Sequence, residues 1–311
     1  MSEIVLVIGY NGGGKTSYTK NNFDESYYRI NRDELGGRLI DLPKLLEAKI
    51  QQGCNTFVLD NTYASIESRK GIIDVGKKYT IPVKCIWLNT SFEDAQFNAC
   101  KRMVQKYNKL PQPEDFKKTK DPNTFPPAAL FNYRKTFEKP TKNEGFSEVI
   151  KVNFEREFDP TYKNKALILD YDGTLRKSNG EKDYPLHPND VEILPNRKEK
   201  LNEYKNKGYK LLGVSNQSGI AKGFLTDDDA NKCFIKTNEL LGFEIEYYYC
   251  CHNIPPVKCY CRKPHPGLGV YLIEKHKLNP LECIFVGDQT TDETFAKRCY
   301  FQYQDQASFF G

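Results

Sequence analysis

Residues 167–175 read Leu-Ile-Leu-Asp-Tyr-Asp-Gly-Thr-Leu, an apolar run that ends in two carboxylates two positions apart. A strand alternates its faces, so it would aim Asp170 and Asp172 to the same side at its carboxyl end. Ligands of open parallel sheets bind at that edge. One carboxylate that can attack and one that can carry a proton suit phosphoryl transfer through an aspartyl-phosphate, with magnesium beside them. The alternative is an acidic surface turn.

The composition narrows the class of protein. The 311 residues are enough for two domains of ~150 residues each. No apolar run reaches the ~18 residues of a membrane span, and the start of the chain lacks the basic region of a signal peptide, so we expect an intracellular protein without membrane association. Ten cysteines then indicate thiols and potential metal ligands rather than disulfides. The net charge of +5 permits a polyanionic partner without requiring one.

The first half opens with an apolar run at residues 4–8, and residues 9–16 then read Gly-Tyr-Asn-Gly-Gly-Gly-Lys-Thr. This fits the P-loop pattern GxxxxGK[ST], in which backbone N–H groups wrap phosphate oxygens, the lysine reaches the outer phosphates and the threonine binds magnesium. The helix that should follow points its positive end at the same anion. The residues expected to hold a nucleotide are Gly9, Gly12, Gly14, Lys15 and Thr16.

Two further acidic residues follow short apolar runs. Asp33 could take the proton from an attacking hydroxyl, although it could equally cap a helix. Asp60 ends a second predicted strand, where a P-loop enzyme keeps a carboxylate for magnesium or substrate. A helix predicted over 65–78 and a strand over 83–88 continue the alternation of a parallel α/β sheet.

Residues 92–105 have a helical pattern with many polar positions. Such a helix could lie over the nucleotide and supply a phosphate-binding arginine, or it could be a solvated charged face. Residues 107–127 are rich in lysine and proline and read as a long loop. Its lysines could follow a phosphate backbone, or they could simply be solvated.

Several short segments together resemble the 5′-kinase domain of eukaryotic polynucleotide kinase-phosphatases over residues 1–154. They are Asn31-Arg32-Asp33, Asp60-Asn61-Thr62, residues 131–141 (Phe-Asn-Tyr-Arg-Lys-Thr-Phe-Glu-Lys-Pro-Thr) and Glu144-Gly145-Phe146. The resemblance implies ATP as donor and a polynucleotide 5′-hydroxyl as acceptor. It also implies Asp33 as general base and Arg134 near the nucleotide.

The chain departs from this family in the helix over the nucleotide. Gln96 and Cys100 stand where we expect two of the family's arginines, which leaves Lys101 and Arg102 as candidates, with Arg102 the better fit. Loss of a charge-stabilising arginine can cost ~10³ or more in rate. This departure therefore concerns the rate of the kinase and not its identity.

We place the last kinase strand at 149–154 and a polar linker at 155–165. The predicted fold class is thus α/β with two doubly wound parallel-sheet domains. Residues 1–155 form a P-loop kinase, and residues 156–311 form a Rossmann-like phosphatase.

The second half adds polar residues after further predicted strands. Ser215 follows the predicted strand at 210–214, and Asp288 follows the predicted strand at 283–287. Lys263 lies between these two strands in the sequence, and Asp292 comes four residues after Asp288. Together with residues 170–175 and in this order, they resemble the four signatures of the haloacid dehalogenase phosphatase superfamily.

This second resemblance implies a role for each residue. Asp170 would be the nucleophile and Asp172 the general acid and base. Ser215 and Lys263 would bind the phosphate. Asp170, the carbonyl of Asp172 and Asp288 would ligate magnesium, with Asp292 in support.

Cysteine and histidine cluster between the second and third signatures. Cys250, His252, Cys259 and Cys261 supply three thiolates and one imidazole, enough for a closed, structural tetrahedral zinc site that would brace the loop before Lys263. Reduced cysteines without metal are the alternative. The same loop is typical of heptose-bisphosphate and histidinol-phosphate phosphatases within the superfamily.

Three functions are compatible with these patterns. The first is a bifunctional enzyme that phosphorylates 5′-hydroxyl ends and removes 3′-phosphates from DNA or RNA, giving ends that a partner ligase could seal. The second is a small-molecule kinase fused to a phosphatase of a sugar bisphosphate or nucleotide. The third is an end-binding scaffold with a weakened kinase.

Overall fold

The structure is a computed structural model that describes residues 2–311, and its long strands form two separate parallel sheets. The chain up to Ala99 and residues Lys120–Arg156 form one compact unit, while Cys100–Thr119 and Glu157–Gly311 form the other. The predicted fold class, two α/β domains with parallel sheets, is confirmed. Among residues 2–311, no helix has both the length and the apolar character needed to cross a membrane.

The sheet of the first unit has five parallel strands in the order β2-β3-β1-β4-β5. The strands are β1 (Glu3–Ile8), β2 (Tyr28–Ile30), β3 (Thr56–Asp60), β4 (Val83–Asn89) and β5 (Glu148–Asn153). The helices in this part of the chain are α1 (Lys15–Asn22), α2 (Arg32–Leu35), α3 (Leu42–Gln51), α4 (Ile66–Lys78), α5 (Phe92–Tyr107), α6 (Pro113–Lys118) and α7 (Pro127–Thr136).

Strand β1 lies at the centre of this sheet because its side chains are apolar on both faces. Ile4, Leu6 and Ile8 pack into one buried cluster, and Val5 and Val7 into another on the opposite face. Since β1, β3 and β4 run in the same direction, the loops that follow them meet at one edge. The P-loop, Asp60 and the start of α5 are thereby brought together.

The predicted loop at 107–127 is only partly correct, because it contains helix α6. Pro113 occupies the first turn, where its missing N–H costs no hydrogen bond. The Asp115 carboxylate accepts from the N–H of Gln112 at 2.9 Å, which caps the helix start. The sequence prediction read the prolines as loop signals and missed that Pro113 also suits a helix N-terminus.

The second unit repeats the parallel architecture with strand order β10-β9-β6-β11-β12 and adds an antiparallel β7–β8 hairpin. The strands are β6 (Ala166–Leu169), β7 (Arg176–Ser178), β8 (Val191–Ile193), β9 (Lys210–Asn216), β10 (Glu246–Cys250), β11 (Ile284–Gly287) and β12 (Gln302–Asp305). The helices are α8 (Arg197–Asn206), α9 (Ser218–Ala221), α10 (Asp227–Leu241), α11 (Gly267–His276), α12 (Thr290–Cys299) and α13 (Gln306–Phe310).

Strand β6 is fully buried between its neighbours, as the apolar run of the opening sequence predicts. Leu169, its last residue, is in register with Gly213 of β9 and Val286 of β11. The N–H of Asp170 continues the ladder by donating to the carbonyl of Val286 at 2.9 Å. The segments after β6, β9 and β11 therefore lie side by side at the carboxyl edge of the sheet.

A buried ion pair fixes helix α4 in the first unit. Arg69 on α4 donates to the two carboxylate oxygens of Glu144 at 2.6 and 3.0 Å, and its side chain is completely buried. The same guanidinium donates to the carbonyl of Tyr63 at 3.1 Å. Removal of one member of such a pair leaves the other charge buried without compensation.

We predict that Arg69→Met lowers the free energy of unfolding of the first unit by about 3–5 kcal/mol, because Glu144 is left unpaired. Chemical denaturation checks this. Lys78, also on α4, forms an ion pair with Glu47 of α3 and is itself exposed. Lys78→Met is therefore the matched control and should have a far smaller effect. Equal effects of the two substitutions would contradict the role assigned to Arg69.

Candidate active sites

The P-loop of the first unit is held in a conformation that only glycine adopts readily. Gly12 and Gly14 have φ values of 73° and 88°, in the left-handed region. A Cβ at Gly12 would lie 2.7 Å from the carbonyl oxygen of Ala95. The hydroxyl of Thr90 donates to the carbonyl of Gly13, and Asn98 donates to the carbonyl of Gly12, both at 2.8 Å. These contacts anchor the loop in front of helix α1, whose N-terminus favours anions.

Lys15 lies folded over this loop. Its Nζ donates to the carbonyl oxygens of Gly9 at 3.0 Å and of Tyr10 at 2.7 Å. The ammonium group therefore lies against the backbone of the P-loop, and its contact with nucleotide phosphates remains a prediction. A phosphate bound there would replace carbonyl oxygens as its hydrogen-bond acceptors.

Asp60 ends β3 next to the threonine of the P-loop. The hydroxyl of Thr16 donates to Asp60 Oδ2 at 3.3 Å. Arg29, on the edge strand β2, donates to Oδ1 at 3.0 Å and to Oδ2 at 2.7 Å. A hydroxyl and a carboxylate are the kinds of oxygen ligand that magnesium uses beside nucleotide phosphates. Arg29 was not identified from the sequence, which offers no motif for it.

Asp33 lies in the first turn of α2, but it is not the helix cap. Asn31 is the cap, and its Oδ1 accepts from the N–H of Asp33 at 2.8 Å and of Glu34 at 3.2 Å. Asn31 also donates to the carbonyl of Asp60 at 2.9 Å, which ties the start of α2 to the end of β3. The Asp33 carboxylate contacts Arg32 at 2.9 Å and is partly exposed. It therefore remains accessible to a substrate.

Arg134 lies beside the P-loop tyrosine. Its guanidinium is 5.2 Å from the centre of the Phe92 ring. Burial raises the pKa of the Tyr10 phenol, and the nearby positive charge of Arg134 partly opposes that shift. This position agrees with the nucleotide neighbourhood predicted for Arg134, and its role there remains a prediction.

The helix predicted over the nucleotide is α5. Its Ala95 and Asn98 face the P-loop, whereas Gln96 and Cys100 are fully buried. An arginine at either buried position would need a partner for its charge in the interior. Arg102 belongs to the residues grouped with the second unit. Its positive charge there partly opposes the rise that burial causes in the pKa of Tyr260. Its proposed catalytic role remains a prediction.

In the second unit, Lys263 lies between two carboxylates. Its Nζ is 2.6 Å from Asp170 Oδ1 and 2.7 Å from Asp292 Oδ1, and it donates to the carbonyl of Val214 at 3.0 Å. All three charged side chains are buried. Burial raises the pKa of Asp170 to about 7, and the positive charge of Lys263 opposes part of that rise. The two carboxylates raise the pKa of Lys263 against the effect of its own burial.

The same edge carries a group of carboxylates that can hold a metal ion. One oxygen from each of Asp170, Asp288 and Asp292 lies within 4.8 Å of the others. Asp288 is exposed, so the group opens to solvent. Gly173 has a φ of 84°, and a Cβ there would lie 2.4 Å from Asp288 Oδ2. The three oxygen donors and the glycine that makes room for them fit a magnesium site.

The side chain of Asp172 lies outside this metal-binding group and is held by two residues that the sequence did not single out. Arg176 donates to its Oδ1 at 2.7 Å, and Gln217 donates to its Oδ2 at 2.6 Å. Gln217 also donates to the hydroxyl of Ser215 at 2.9 Å. Gln217 connects the predicted acid/base to the predicted phosphate ligand, and its place in the motif Ser-Asn-Gln-x-Gly was the available signal.

The structure brings the predicted cysteine and histidine ligands together, with ligand atoms within 4.8 Å of one another: Cys250, His252, Cys259 and Cys261. Cys250 Sγ lies 3.7 Å from Cys259 Sγ and 3.5 Å from His252 Nδ1, and Cys261 Sγ lies 3.4 Å from the same nitrogen. Tetrahedral zinc with Zn–S bonds of ~2.3 Å separates two sulfurs by about 3.8 Å. The four donors therefore fit a closed zinc site. Cys251 is not part of the group.

The loop that carries this group is attached to the carboxyl edge of the sheet. Asn216, the last residue of β9, accepts from the N–H of Lys263 at 3.0 Å and donates to its carbonyl at 3.1 Å. The cluster is thus continuous with the segment that positions Lys263.

Comparisons with known proteins match each half of the chain. Residues 165–309 match the family described as polynucleotide kinase 3 phosphatase, and residues 4–119 match the AAA domain family. A probable D-glycero-D-manno-heptose-1,7-bisphosphate 7-phosphatase of Thermoplasma volcanium is 34% identical over 138 residues, which are 43% of this chain and 92% of that protein.

Two further relatives are informative. A D-glycero-beta-D-manno-heptose-1,7-bisphosphate 7-phosphatase of Helicobacter pylori is 35% identical over 133 residues, covering 42% of this chain and 75% of that protein. The bifunctional polynucleotide phosphatase/kinase of Schizosaccharomyces pombe is 29% identical over 163 residues, covering 51% of this chain and 36% of that protein. The chain therefore carries a kinase domain and a phosphatase domain, for which ATP and magnesium are the implied cofactors.

We predict that Gln217→Leu lowers the phosphatase kcat for an alkyl phosphate by roughly 10- to 100-fold, because Asp172 loses a contact that orients it. Para-nitrophenyl phosphate has a better leaving group, needs less protonation and should be affected less. Steady-state rates on both substrates check this. Gln302→Leu, at an exposed position of β12, is the control. An equal loss on both substrates would contradict a role through Asp172.

Proposed function

The second half of this chain belongs to the phosphatase family of the polynucleotide kinase 3 phosphatases and the heptose-bisphosphate 7-phosphatases, and we propose that the chain heals broken nucleic-acid ends. Its phosphatase would remove a 3′-phosphate, and its kinase would transfer a phosphoryl group from ATP to a 5′-hydroxyl. The substrate would be a DNA or RNA end. The product, a 3′-hydroxyl opposite a 5′-phosphate, is the substrate of a ligase, which we propose as a partner.

The phosphatase step begins with attack of an Asp170 carboxylate oxygen on phosphorus. The bond to the 3′-oxygen breaks as the aspartyl-phosphate forms, and Asp172 gives its proton to the leaving oxygen. Gln217 would have to release Oδ2 of Asp172 when that oxygen carries the proton. Asp172 then removes a proton from the water that hydrolyses the intermediate. Lys263 favours the ionised form of Asp170 before attack.

Two groups of this site would stabilise the phosphate. Lys263 supplies a fixed positive charge, and Ser215 supplies a hydroxyl. Magnesium, held by Asp170, the carbonyl of Asp172 and Asp288 with Asp292 in support, would neutralise the charge of the phosphoryl oxygens.

In the kinase, Lys15 would exchange its carbonyl partners for the outer phosphates of ATP. Thr16 and Asp60 would hold magnesium directly or through water. Asp33 would accept the proton of the 5′-hydroxyl as its oxygen attacks the γ-phosphorus, and ADP would leave. Arg134 would contact the nucleotide, and Arg102 would stabilise charge in the transition state.

One observation supports the choice of substrate: a kinase domain and a phosphatase domain occur in one chain. The two reactions serve a single purpose when their substrates are the two sides of a strand break. The exposure of the phosphatase site is compatible with a nucleic-acid strand as substrate. Asp288 is exposed, and the connection between β7 and β8, residues 179–190, is a hairpin loop rather than an inserted domain. A scaffold without catalysis is disfavoured, because the chain keeps the residues that the two resemblances assign to catalysis and phosphate binding: Asp170, Lys263, Lys15 and Asp33.

A small-molecule substrate is the second candidate. The 34% identity to a heptose-bisphosphate 7-phosphatase over 92% of its length favours it, as does the Cys/His group. This alternative predicts hydrolysis of a sugar bisphosphate and indifference to oligonucleotides.

We predict that the wild-type chain dephosphorylates a 3′-phosphorylated oligonucleotide and phosphorylates a 5′-hydroxyl oligonucleotide. Asp170→Asn should abolish the first activity and leave the second intact. Lys15→Ala should do the reverse, so each variant is the folding control of the other. Heptose bisphosphate, assayed in parallel, should be the poorer phosphatase substrate. Loss of both activities in either variant would contradict independent sites, and a preference for the sugar would contradict the nucleic-acid substrate.

We further propose that the group formed by Cys250, His252, Cys259 and Cys261 binds one zinc ion with a structural role. Elemental analysis of purified protein should find about one zinc per chain. Cys259→Ser should lose the metal and lower the melting temperature of the second unit, because the loop at 253–258 has no other core. Cys251→Ser is the matched control and should keep the zinc. Protein without zinc, or equal loss in both variants, would contradict the site.

A further inference from the structure

Arg29 makes more contacts with the kinase site than its position on an edge strand suggests. Its Nε and Nη2 donate to the two oxygens of Asp60 at 3.0 and 2.7 Å. Its Nη1 donates to Glu34 Oε1 at 2.7 Å. Glu34 follows Asp33 on helix α2, so one guanidinium spans the end of β3 and the helix of the predicted general base.

The carboxylate of Asp60 depends on this contact. Its side chain is completely buried, whereas that of Arg29 is 20% exposed. A buried carboxylate is costly unless a positive charge and hydrogen bonds compensate it. Thr16 contributes a hydroxyl at 3.3 Å to Oδ2, but Arg29 is the cation that contacts both oxygens.

The shape of the guanidinium matters as well as its charge. A planar fork that binds both oxygens fixes the plane of the carboxylate, whereas an ammonium binds as a point charge and leaves that plane free to rotate. With Arg29 on one side of Asp60, the remaining lone pairs can be directed toward Thr16. This is where the magnesium that accompanies a P-loop nucleotide would be held.

We infer that Arg29 is a positioning residue of the kinase: it orients Asp60 toward the Thr16 magnesium position and, through Glu34, ties helix α2 to the same point. The inference rests on the proposed kinase reaction but does not depend on the identity of the acceptor. Arg29 itself would touch neither the phosphate nor the metal.

Magnesium-dependent nucleotide binding tests this directly. The full-length chain and its Arg29→Gln and Arg29→Lys variants would be titrated with ADP, in excess magnesium and in a chelator. We expect Arg29→Gln to weaken magnesium-dependent ADP binding by ~10- to 100-fold, as loss of an outer contact to a metal ligand does, and to leave magnesium-free binding unchanged. The magnesium-dependent ADP affinity of Arg29→Lys should lie between that of Arg29→Gln and that of the wild type, because lysine keeps the positive charge but cannot bind both carboxylate oxygens as the guanidinium does.

Kinase assays on a 5′-hydroxyl oligonucleotide give a second measurement. Arg29→Gln should lower kcat, and it should raise both the KM for ATP in excess magnesium and the magnesium concentration needed for half-maximal rate. Adding Arg29→Gln to Asp60→Asn should cause no further loss if Arg29 acts through Asp60. Lys84→Gln removes another ion pair of the same sheet, with Glu3, and is the control that should behave as the wild type.

The outcomes distinguish a failure of the positioning role of Arg29 from a failure of the proposed oligonucleotide acceptor. Additive losses in the double variant, or unchanged magnesium dependence in both Arg29 variants, would overturn the role of Arg29. Loss of magnesium-free ADP binding in Arg29→Lys as well as in Arg29→Gln would mean a merely structural role and would also overturn it. If the wild type fails to phosphorylate the oligonucleotide, the proposed acceptor is wrong, and ADP binding still decides the role of Arg29.

Discussion

The ion pair between Lys263 and the carboxylates of Asp170 and Asp292 is the interaction on which the phosphatase site depends. Three charged groups are placed in a buried position where each alone would be strongly disfavoured. Burial raises the pKa of Asp170, and the positive charge of Lys263 opposes that rise and favours the ionised form that a nucleophile needs. The loop that brings Lys263 to this position is fixed to β9 through Asn216 and continues into the Cys/His group.

In the proposed kinase site, a cation also contacts a carboxylate at the end of a strand, and this cation is an arginine. Asp60 also lies at the end of a buried parallel strand, and Arg29 holds its carboxylate as Lys263 holds that of Asp170. In both units the acid lies at the carboxyl edge of the sheet and contacts a cation, which is the buried Lys263 in one unit and the 20% exposed Arg29 in the other. The Arg29 contact is bidentate, which suits an acid that must be oriented. The ammonium of Lys263 contacts two different acids, which suits a position where negative charge accumulates.

The sequence predicts the parts of this structure that depend on local pattern. The apolar runs at 4–8, 167–169 and 283–287 and the run that ends at Asp60 become strands of the two parallel sheets, because the alternation of side chains along a strand is a local property. The predicted Asp60, Asp170 and Asp288 lie at the carboxyl ends of these strands. The P-loop glycines and the Cys/His spacing are also local. Arg29 and Arg176 could not be assigned from pattern alone, because their contacts with Asp60 and Asp172 are created only by the folded chain. For Gln217 the position two residues after Ser215 was an available signal. Helix α6 was missed for a different reason, because Pro113 was read as a loop signal although proline also suits the first turn of a helix.

The central claim, that Asp170 accepts a phosphoryl group from a nucleic-acid 3′ end, can be tested most directly by trapping the intermediate. The chain would be mixed with an oligonucleotide carrying a radiolabelled 3′-phosphate, quenched in acid within the first turnover and digested for mass spectrometry. The account predicts a label on the peptide that contains Asp170, which hydroxylamine removes as expected for an acyl phosphate. Labelling of that peptide by heptose bisphosphate but not by the oligonucleotide, or labelling at another residue, would contradict it.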